Sequence, residues 1–487
     1  MSSTHPTPPR SSLLGFRNTV TVTLPYESLD PLTIGSCDDP SKVYREEIGV
    51  EVPRKNLWAW IKPHEPPAIR DVTAAAAAAL ERPHSGPRFS QLIGPDKSLC
   101  IVIDNQFRPT PAAKLLPALF AAVERVGVKD ARVICANGKV FPMSEADTEL
   151  KIGRANLERM ARLNIPFFQN DPRNPKMYVF KGISSRGTPV WLHREVANSD
   201  VTITLGQAQA NHWGYGGGGK LILPGVVSDE TIESNHAAFV MSPKTHYGAM
   251  AGPMRADIDE VASLCDLTCT LNSVLDTKGA VCYLNFGAHP DAHREAVRTF
   301  NNIYAYRRPH GGPADIALCG VFAPTDHLFF HTGWGCMSAD LVLKDGGDMI
   351  YCSPSPGVKT AHLGEFPGFA LFDLMKPYMP PSPENLERLY RDVHGRKVEM
   401  WAGCIWIPIY EVMARKHLTV VTLEENLAMG RDIGIPVATS LQHAFDQALA
   451  RQGPAAKVVV LPFARYQMPS DAIRMPGRSG LGRETAL

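Results

Sequence analysis

Short apolar runs, many of them rich in β-branched residues, alternate with longer amphipathic stretches along most of this chain. The runs predict strands that are buried on both faces, and the stretches between them predict helices with one apolar face. Strands are predicted at residues 20–24, 99–103, 131–136, 201–205, 281–286, 315–321, 348–352, 420–423 and 458–463. Helices are predicted at residues 74–80, 111–128, 291–306, 337–343, 384–393, 404–416 and 440–450. This alternation predicts an α/β protein with parallel sheets.

The length of the chain, 487 residues, exceeds what a single hydrophobic core usually supports. We therefore predict two Rossmann-like α/β domains with a cleft between them. Residues 21–278 form the N-terminal, cofactor-binding domain of this prediction, and residues 279–464 form the C-terminal domain, which opens with the strand at 281–286. Residues 1–20 are rich in Ser, Thr and Pro, and residues 465–487 are polar with Gly and Arg, so both are predicted to be flexible.

The composition of the chain argues against several classes of binding partner. A formal net charge of +1 gives no electrostatic basis for binding nucleic acid. Most of the ten cysteines lie inside apolar runs and no CxxC occurs, which is typical of reduced core thiols. No apolar stretch reaches the length of a membrane span, and the N-terminus has no apolar signal region. We expect a cytoplasmic protein that binds neither nucleic acid nor membrane.

Candidate chemistry concentrates after the strand at 201–205. Four consecutive residues form what we call the glycine loop: Gly216, Gly217, Gly218 and Gly219. Glycines let a backbone approach a ligand closely, and Lys220 ends the loop. A Pro-Gly turn follows, and Ser228 or Asp229 then offers an N-cap for a helix that carries His236. From the residues alone, a surface loop beside a core strand explains the same pattern.

Two phosphate-binding motifs do not fit the glycine loop. A Walker loop is excluded because Leu221 stands where that motif needs a hydroxyl for magnesium. The dinucleotide fingerprint lacks the acidic residue expected on a second strand, which disfavours a nicotinamide dehydrogenase.

The order of glycine loop, lysine, apolar run, Pro-Gly and a histidine sixteen residues after the lysine resembles the signature of the nickel-pincer lactate racemase family. The resemblance implies that Lys220 is covalently joined to a nickel-pincer nucleotide, pyridinium-3-thioamide-5-thiocarboxylic acid mononucleotide. It also implies that His236 is a ligand of the nickel. In that family separate proteins build the cofactor, so the resemblance implies cofactor-biosynthesis proteins as partners.

A second group of polar residues, Asp104, Asn105 and Arg108, follows the strand at 99–103. Ligands of open α/β sheets gather at such carboxyl ends of strands. Arg108 and Pro109 match an Asp-x-Thr-Arg-Pro-like motif of the family, which implies cofactor binding by Asp104 or Asn105 and substrate binding by Arg108. Arginine can bind a carboxylate through two hydrogen bonds. A helix-capping aspartate with a solvated arginine is the structural alternative.

The chain departs from the family at the two catalytic bases, because Val140 and Ala210 occupy the positions of the family histidines. We predict His212 and His331 as the substitutes. Lys139 is a third candidate, since burial can lower a lysine pKa toward neutrality.

The leading interpretation is a racemase or epimerase of a 2-hydroxy acid that moves a hydride from the carbinol carbon to the cofactor and back, with a base for the hydroxyl proton. Trp334, in a predicted turn at residues 332–335, stands where the family has a lysine, which favours a bulkier and less anionic substrate than lactate. The alternative is a protein of the same fold that binds an anionic small molecule or nucleotide without racemase activity. A homo-oligomer is compatible with either.

Overall fold

The computed structural model describes residues 18–29, 43–211, 213–241, 247–322, 329–356, 362–363, 366–367, 373–476 and 484–486. Its strands are β1 (Thr19–Leu29), β2 (Val43–Pro53), β3 (Leu57–Trp60), β4 (Ser98–Asp104), β5 (Asp130–Ala136), β6 (Phe167–Gln169), β7 (Tyr178–Ile183), β8 (Pro189–His193), β9 (Val201–Gln207), β10 (Ala210–Asn211), β11 (Gly214–Tyr215), β12 (Leu267–Leu275), β13 (Val281–Ala288), β14 (Ala305–Tyr306), β15 (Ala314–Gly320), β16 (Leu343–Cys352), β17 (His362–Leu363), β18 (Phe366–Pro367), β19 (His417–Val421), β20 (Val437–Ala438), β21 (Val458–Leu461), β22 (Met468–Pro469), β23 (Arg474–Pro476) and β24 (Glu484–Ala486).

The described helices are α1 (Val72–Glu81), α2 (Phe89–Leu92), α3 (Ala112–Val126), α4 (Glu145–Ile152), α5 (Arg154–Arg162), α6 (Arg194–Ala197), α7 (Asp229–Met241), α8 (Pro253–Leu264), α9 (Asp291–Tyr304), α10 (Phe329–Asp340), α11 (Pro383–His394), α12 (Met400–Met413), α13 (Leu427–Ile433) and α14 (Leu441–Gln452). None of these helices combines the length and the apolar character needed to cross a bilayer. Short 3-10 turns join them, including one at Gly218–Leu221.

The first sheet has the order β13-β12-β9-β4-β5-β6. Strands β12, β9, β4, β5 and β6 run parallel, while β13 is antiparallel to β12. Side chains of β4 such as Ile101, Val102 and Ile103 are fully buried, because helices and loops cover both faces of the sheet. The predicted α/β class with parallel sheets is confirmed.

The strand at 281–286 was expected to open the second domain, and this is wrong. As β13 it forms the antiparallel edge of the first sheet beside β12. The connection between the two strands is a tight turn, in which the Asp276 amide donates to the Ala280 carbonyl oxygen at 2.8 Å. So short a connection permits a hairpin but is too short for the crossover that a parallel pair needs.

The second sheet has the order β20-β19-β16-β15-β21-β3, and its neighbouring strands are parallel. Strand β3 comes from the N-terminal part of the chain and pairs with β21 near the C-terminus. The β1-β2 hairpin packs its apolar side chains, among them Val22 and Val52, against this second sheet. Residues 21–278 therefore contribute strands to both sheets.

The turn predicted at residues 332–335 is also wrong, because these residues lie within helix α10. A Cβ added to Gly335 would stand 2.4 Å from the hydroxyl oxygen of Tyr351 in β16. Glycine at this position therefore lets the helix approach the sheet closely and does not mark a turn.

The two predictions of flexibility, one for each end of the chain, have different outcomes. Residues 1–17 lie outside the described residues, and β1 begins at Thr19. Residues 465–476 were predicted to be flexible and are instead packed: β22 pairs with β14, and Tyr466 is fully buried. The physical reason is that Tyr466 and Met468 supply apolar side chains to a buried cluster with Phe300, which the overall polarity of the segment concealed.

Candidate active site

The glycine loop leaves the carboxyl end of β9 and enters the 3-10 turn that carries Lys220. Gly217 and Gly218 have φ angles of 78° and 55°, which side chains other than glycine rarely adopt. An added Cβ on Gly217 would lie 2.9 Å from the Gln207 carbonyl oxygen, and one on Gly218 would lie 2.6 Å from Cγ of His293. The loop is therefore packed tightly between β9 and α9.

The side chain of Lys220 points over the indole of Trp213, with Nζ 4.3 Å from the ring centroid. Burial holds the pKa of Lys220 well below its ordinary value, and the charges of Arg108 and Arg255 lower it further. A lysine in this setting favours its neutral, nucleophilic form.

His236 lies on α7 and is 1% exposed. Its Nδ1 is 2.8 Å from the Ile232 carbonyl oxygen. Because a carbonyl oxygen only accepts, Nδ1 carries the hydrogen and Nε2 carries the lone pair. The pKa of His236 is lowered to about 3, mainly by burial. The imidazole is therefore neutral at neutral pH, as a metal ligand must be.

Trp213 brings the two residues together. Its ring centroid is 4.8 Å from that of His236, and the planes meet at 70°. Lys220 and His236 thus contact the same indole, although sixteen positions separate them in the sequence. Nothing in the spacing of Trp213 distinguishes it from a core tryptophan, so its role could not be predicted from the sequence.

Helix α7 is anchored by a buried carboxylate. Asp257 on α8 accepts hydrogen bonds from Asn235 at 2.8 Å, from Ser184 at 2.5 Å and from Thr188 at 2.6 Å. Asn235 is the immediate neighbour of His236, so these bonds restrict the rotation of the helix that presents the imidazole. Of the two predicted caps, Ser228 directly precedes the helix, and its carbonyl oxygen accepts from the Ile232 amide at 3.1 Å.

Lys139 does not have the lowered pKa that its proposed role as a base requires. Burial does lower the pKa of Lys139, but hydrogen bonds to Asp229 and Glu233 outweigh burial and raise it overall. Nζ lies 2.7 Å from Asp229 and also pairs with Glu233. The lysine therefore remains protonated and ties its loop to helix α7.

Asp104 and Asn105 build the loop that presents Arg108. Asp104 is paired with Lys151 at 2.6 Å and accepts a hydrogen bond from Thr110. The side chain of Asn105 accepts from the Phe107 amide at 3.1 Å. These contacts shape the backbone, and a direct role for either residue in cofactor binding stays a prediction.

Arg108 is a partly exposed cation beside a second one, Arg465. Loss of hydration and the charge of Arg465 together lower the pKa of Arg108 to about 10, so the guanidinium is still charged at neutral pH. Arg465 belongs to the segment predicted to be flexible. Its neighbour Tyr466 donates to Gln209 at 3.1 Å and accepts from Gln207 at 2.8 Å. The C-terminal segment therefore contacts the residues that lead into the glycine loop.

The other predicted site residues are not tested by the geometry. His212 lies outside the described residues. His331 and Trp334 fall in helix α10, but their side chains lie outside the described part of the chain. Within the described ranges, no group of three or more His, Cys, Asp or Glu side chains could hold a metal ion.

Four buried histidines predict acid sensitivity of the cofactor-free protein. Burial is the main cause of a pKa of about 4 for His193 and His289 and of about 3 for His236 and His293, against an ordinary value of 6.5. Between these values the unfolded chain binds more protons than the folded chain, so the free energy of unfolding falls as the pH drops below 6.5. Each of these histidines should add up to about 1.4 kcal/mol per pH unit to the slope of the free energy of unfolding against pH.

Urea unfolding at pH 7.5 and pH 5 measures this effect. A His193→Gln variant should flatten the pH dependence, while replacement of the exposed His443 should not. Equal free energies of unfolding at the two pH values would contradict the prediction.

The fold and this site together define an α/β protein in which a tight glycine loop presents a lysine beside a buried, neutral histidine. Residues 44–248 match the lactate racemase N-terminal domain. The lactate racemase of Lactiplantibacillus plantarum is 24% identical over 395 residues, which cover 79% of this chain and 88% of that protein. The lactate racemase of Thermoanaerobacterium thermosaccharolyticum is 23% identical over 389 residues, covering 79% and 87%.

The structure of the lactate racemase apoprotein from Thermoanaerobacterium thermosaccharolyticum superimposes with a TM-score of 0.76 at 19% identity, over 92% of this chain and all of that one. This likeness supports the same fold. The resemblance to the lactate racemase family that the motifs predict is confirmed by these matches, which cover the N-terminal domain and most of the chain.

Proposed function

We propose that the protein is a nickel-pincer nucleotide-dependent racemase or epimerase of a 2-hydroxy acid. The observation that carries the proposal is the shared contact of Lys220 and His236 with Trp213, because it brings an amine and an imidazole to the same indole. The relatives that match most of the chain are lactate racemases, which supports an isomerase of this class.

The residues present fit such a cofactor. The neutral amine of Lys220 suits a covalent linkage, and Nε2 of His236 has the lone pair that nickel needs. The chemistry that the bound cofactor supplies is reversible acceptance of the hydride from the carbinol carbon.

The chain's own residues would bind and orient the substrate. Arg108 is charged, only partly exposed and close to Lys220, so it suits a carboxylate beside the cofactor. The hydroxyl proton needs an acceptor, and His212 and His331 are our candidates. Lys139 is no longer favoured, because its two carboxylate partners keep it protonated. A substrate bulkier than lactate, in contact with Trp334, remains part of the proposal.

A second candidate is a protein that binds an anionic small molecule or nucleotide without racemase activity. Val140 and Ala210 support it, because they stand where the family has its bases. The cations Arg108 and Arg255 near Lys220 would attract an anion in either case.

The test is an assay of enantiomers. Protein made together with the cofactor-building proteins is incubated with each enantiomer of lactate and of larger 2-hydroxy acids, and the products are separated on a chiral column. Interconversion with retention of a deuterium label on the carbinol carbon would support the proposal. Binding without interconversion of any enantiomer would favour the second candidate.

Substitution of Arg108 by lysine is expected to weaken substrate binding. Lysine keeps the charge but cannot form two parallel hydrogen bonds to a carboxylate. Loss of one charged hydrogen bond corresponds to about a tenfold fall in kcat/KM or more, mainly through KM. Arg186→Lys, which changes a surface ion pair with Glu260, is the matched control. An unchanged KM in Arg108→Lys would reject the assignment.

A further inference from the structure

Two buried basic side chains hold the glycine loop from the side of α8 and α9. Arg255 on α8 is 1% exposed, and its Nη1 donates to the Tyr215 carbonyl oxygen at 3.1 Å. His293 on α9 is fully buried, and its Nε2 lies 2.7 Å from the Gly216 carbonyl oxygen. The two consecutive carbonyl groups that open the loop therefore each accept from a different helix.

The two side chains also contact each other. Nη2 of Arg255 donates to Asp259 at 2.7 Å and lies 3.3 Å from Nδ1 of His293. Since Nε2 of His293 must donate to a carbonyl oxygen, Nδ1 of this neutral imidazole carries the lone pair and accepts from the guanidinium. Every hydrogen bond in this series thus has one donor and one acceptor: Arg255 donates to His293, and His293 donates to the Gly216 carbonyl oxygen.

Steric contact reinforces the hydrogen bonds. The position of a Cβ on Gly218 is 2.6 Å from Cγ of His293, and that on Gly219 is 3.2 Å from Nε2 of His289. The loop therefore lies directly against both imidazoles and cannot move closer to α9. The hydrogen bonds to Tyr215 and Gly216 oppose movement away from it.

We infer that Arg255 and His293 are positioning residues for Lys220: they hold the carbonyl groups of Tyr215 and Gly216 and thereby set the path of the glycine loop and the place of the amine. The role of Lys220 as the attachment point rests on the proposed function. The placement of Lys220 by Arg255 and His293 does not.

Stability alone is a weak reason for this arrangement. A buried ion pair such as Arg255 with Asp259 contributes little compared with apolar residues of similar volume, because removing two charges from water is costly. The forked guanidinium can contact a carboxylate, an imidazole and a carbonyl group at once, which an apolar side chain cannot do.

The experiment measures the reactivity of Lys220 in cofactor-free protein. The native chain and its variants are treated with a limiting amount of an amine-acylating reagent between pH 6 and pH 11, and labelling of Lys220 is followed by peptide mass spectrometry. The variants are His293→Phe, which removes both hydrogen bonds, His293→Gln, which keeps a donor for Gly216, and Arg255→Lys, which keeps the charge. Arg294→Lys is the matched control, because Arg294 is near Asp259 but Arg255 makes the contact to the loop.

The expected result is a shift of the labelling midpoint toward the ordinary lysine value in His293→Phe and in Arg255→Lys. Freeing the loop exposes the amine to water, and loss of one hydrogen bond corresponds to about one pH unit. His293→Gln should restore much of the native midpoint, and Arg294→Lys should leave it unchanged. If circular dichroism shows that His293→Phe does not fold, the labelling midpoint of Arg255→Lys tests the inference. This variant keeps the positive charge and changes only the contacts of residue 255.

If folded Arg255→Lys has the native labelling midpoint, the inference is wrong, because the positive charge at residue 255 would then be enough to account for the native reactivity of Lys220. Equal midpoints in folded His293→Phe and His293→Gln would overturn it as well. Failure of the native chain to form a cofactor adduct would reject the proposed function without affecting either outcome, because labelling needs no cofactor.

Discussion

Replacement of Lys220 by alanine is expected to abolish covalent attachment of the nucleotide. In protein made together with the cofactor-building proteins, intact mass spectrometry should show an added mass of several hundred daltons on the native chain, about that of a nucleotide, and none on the variant. The reason is that Lys220 is the amine at the end of the glycine loop, and its burial favours the nucleophilic form.

Lys220→Arg separates the chemistry of the amine from its packing. A guanidinium retains a favourable contact with the indole of Trp213, but it remains protonated and cannot replace the amine in the linkage. The arginine variant should therefore carry no adduct, and it should be less stable than the native chain, because a permanent charge then lies beside Arg108 and Arg255 in a site that disfavours charge. Lys176→Ala, a change of an exposed lysine, should keep the full adduct. An adduct on Lys220→Ala would show that another residue is the attachment point.

Replacement of His236 by alanine is expected to remove nickel while leaving the fold in place. Under the proposed function, Nε2 of His236 would bind the metal, because Nδ1 of the buried imidazole already donates to the Ile232 carbonyl oxygen. Outer groups that only orient a ligand already change metal affinity about tenfold to a hundredfold, so loss of the ligand itself should exceed tenfold. Metal analysis of the purified protein measures the nickel content.

The matched control is His193→Ala. His193 is also buried, and burial likewise lowers its pKa, to about 4, but its Nδ1 accepts from the Glu195 amide at the start of α6. This variant should lose stability and retain nickel. Unchanged nickel content in His236→Ala would reject His236 as the ligand, even if the adduct on Lys220 were present.

Much of the fold could be predicted because apolar periodicity is a local property. Strands such as β4, β5 and β9 agree with their predicted ranges within two residues, since buried parallel strands appear as continuous β-branched runs. Partner strands are not local. The short turn after β12 returns β13 to the first sheet, and β3 reaches the second sheet across nearly the whole chain.

The candidate site likewise combines local features that could be predicted from the sequence with spatial contacts that could not. Lys220, His236 and Arg108 could be identified because glycines, a lysine and a histidine at fixed spacing form a motif that can be recognised along the chain. The order of residues in the motif indicates which side chains belong to the site. It did not predict the raised pKa of Lys139, because the carboxylates that cause it lie on helix α7, some ninety positions away.

The sequence by itself determined the α/β class, the strand and helix pattern, and the residues that carry the family resemblance. Only the tertiary structure decided that Trp213 joins Lys220 to His236, and that Arg255 and His293 hold the glycine loop. The physical reason is that periodicity and motifs depend on neighbours along the chain. Burial, pKa and hydrogen-bond partners depend instead on neighbours in space, which separate helices bring together after the chain has folded.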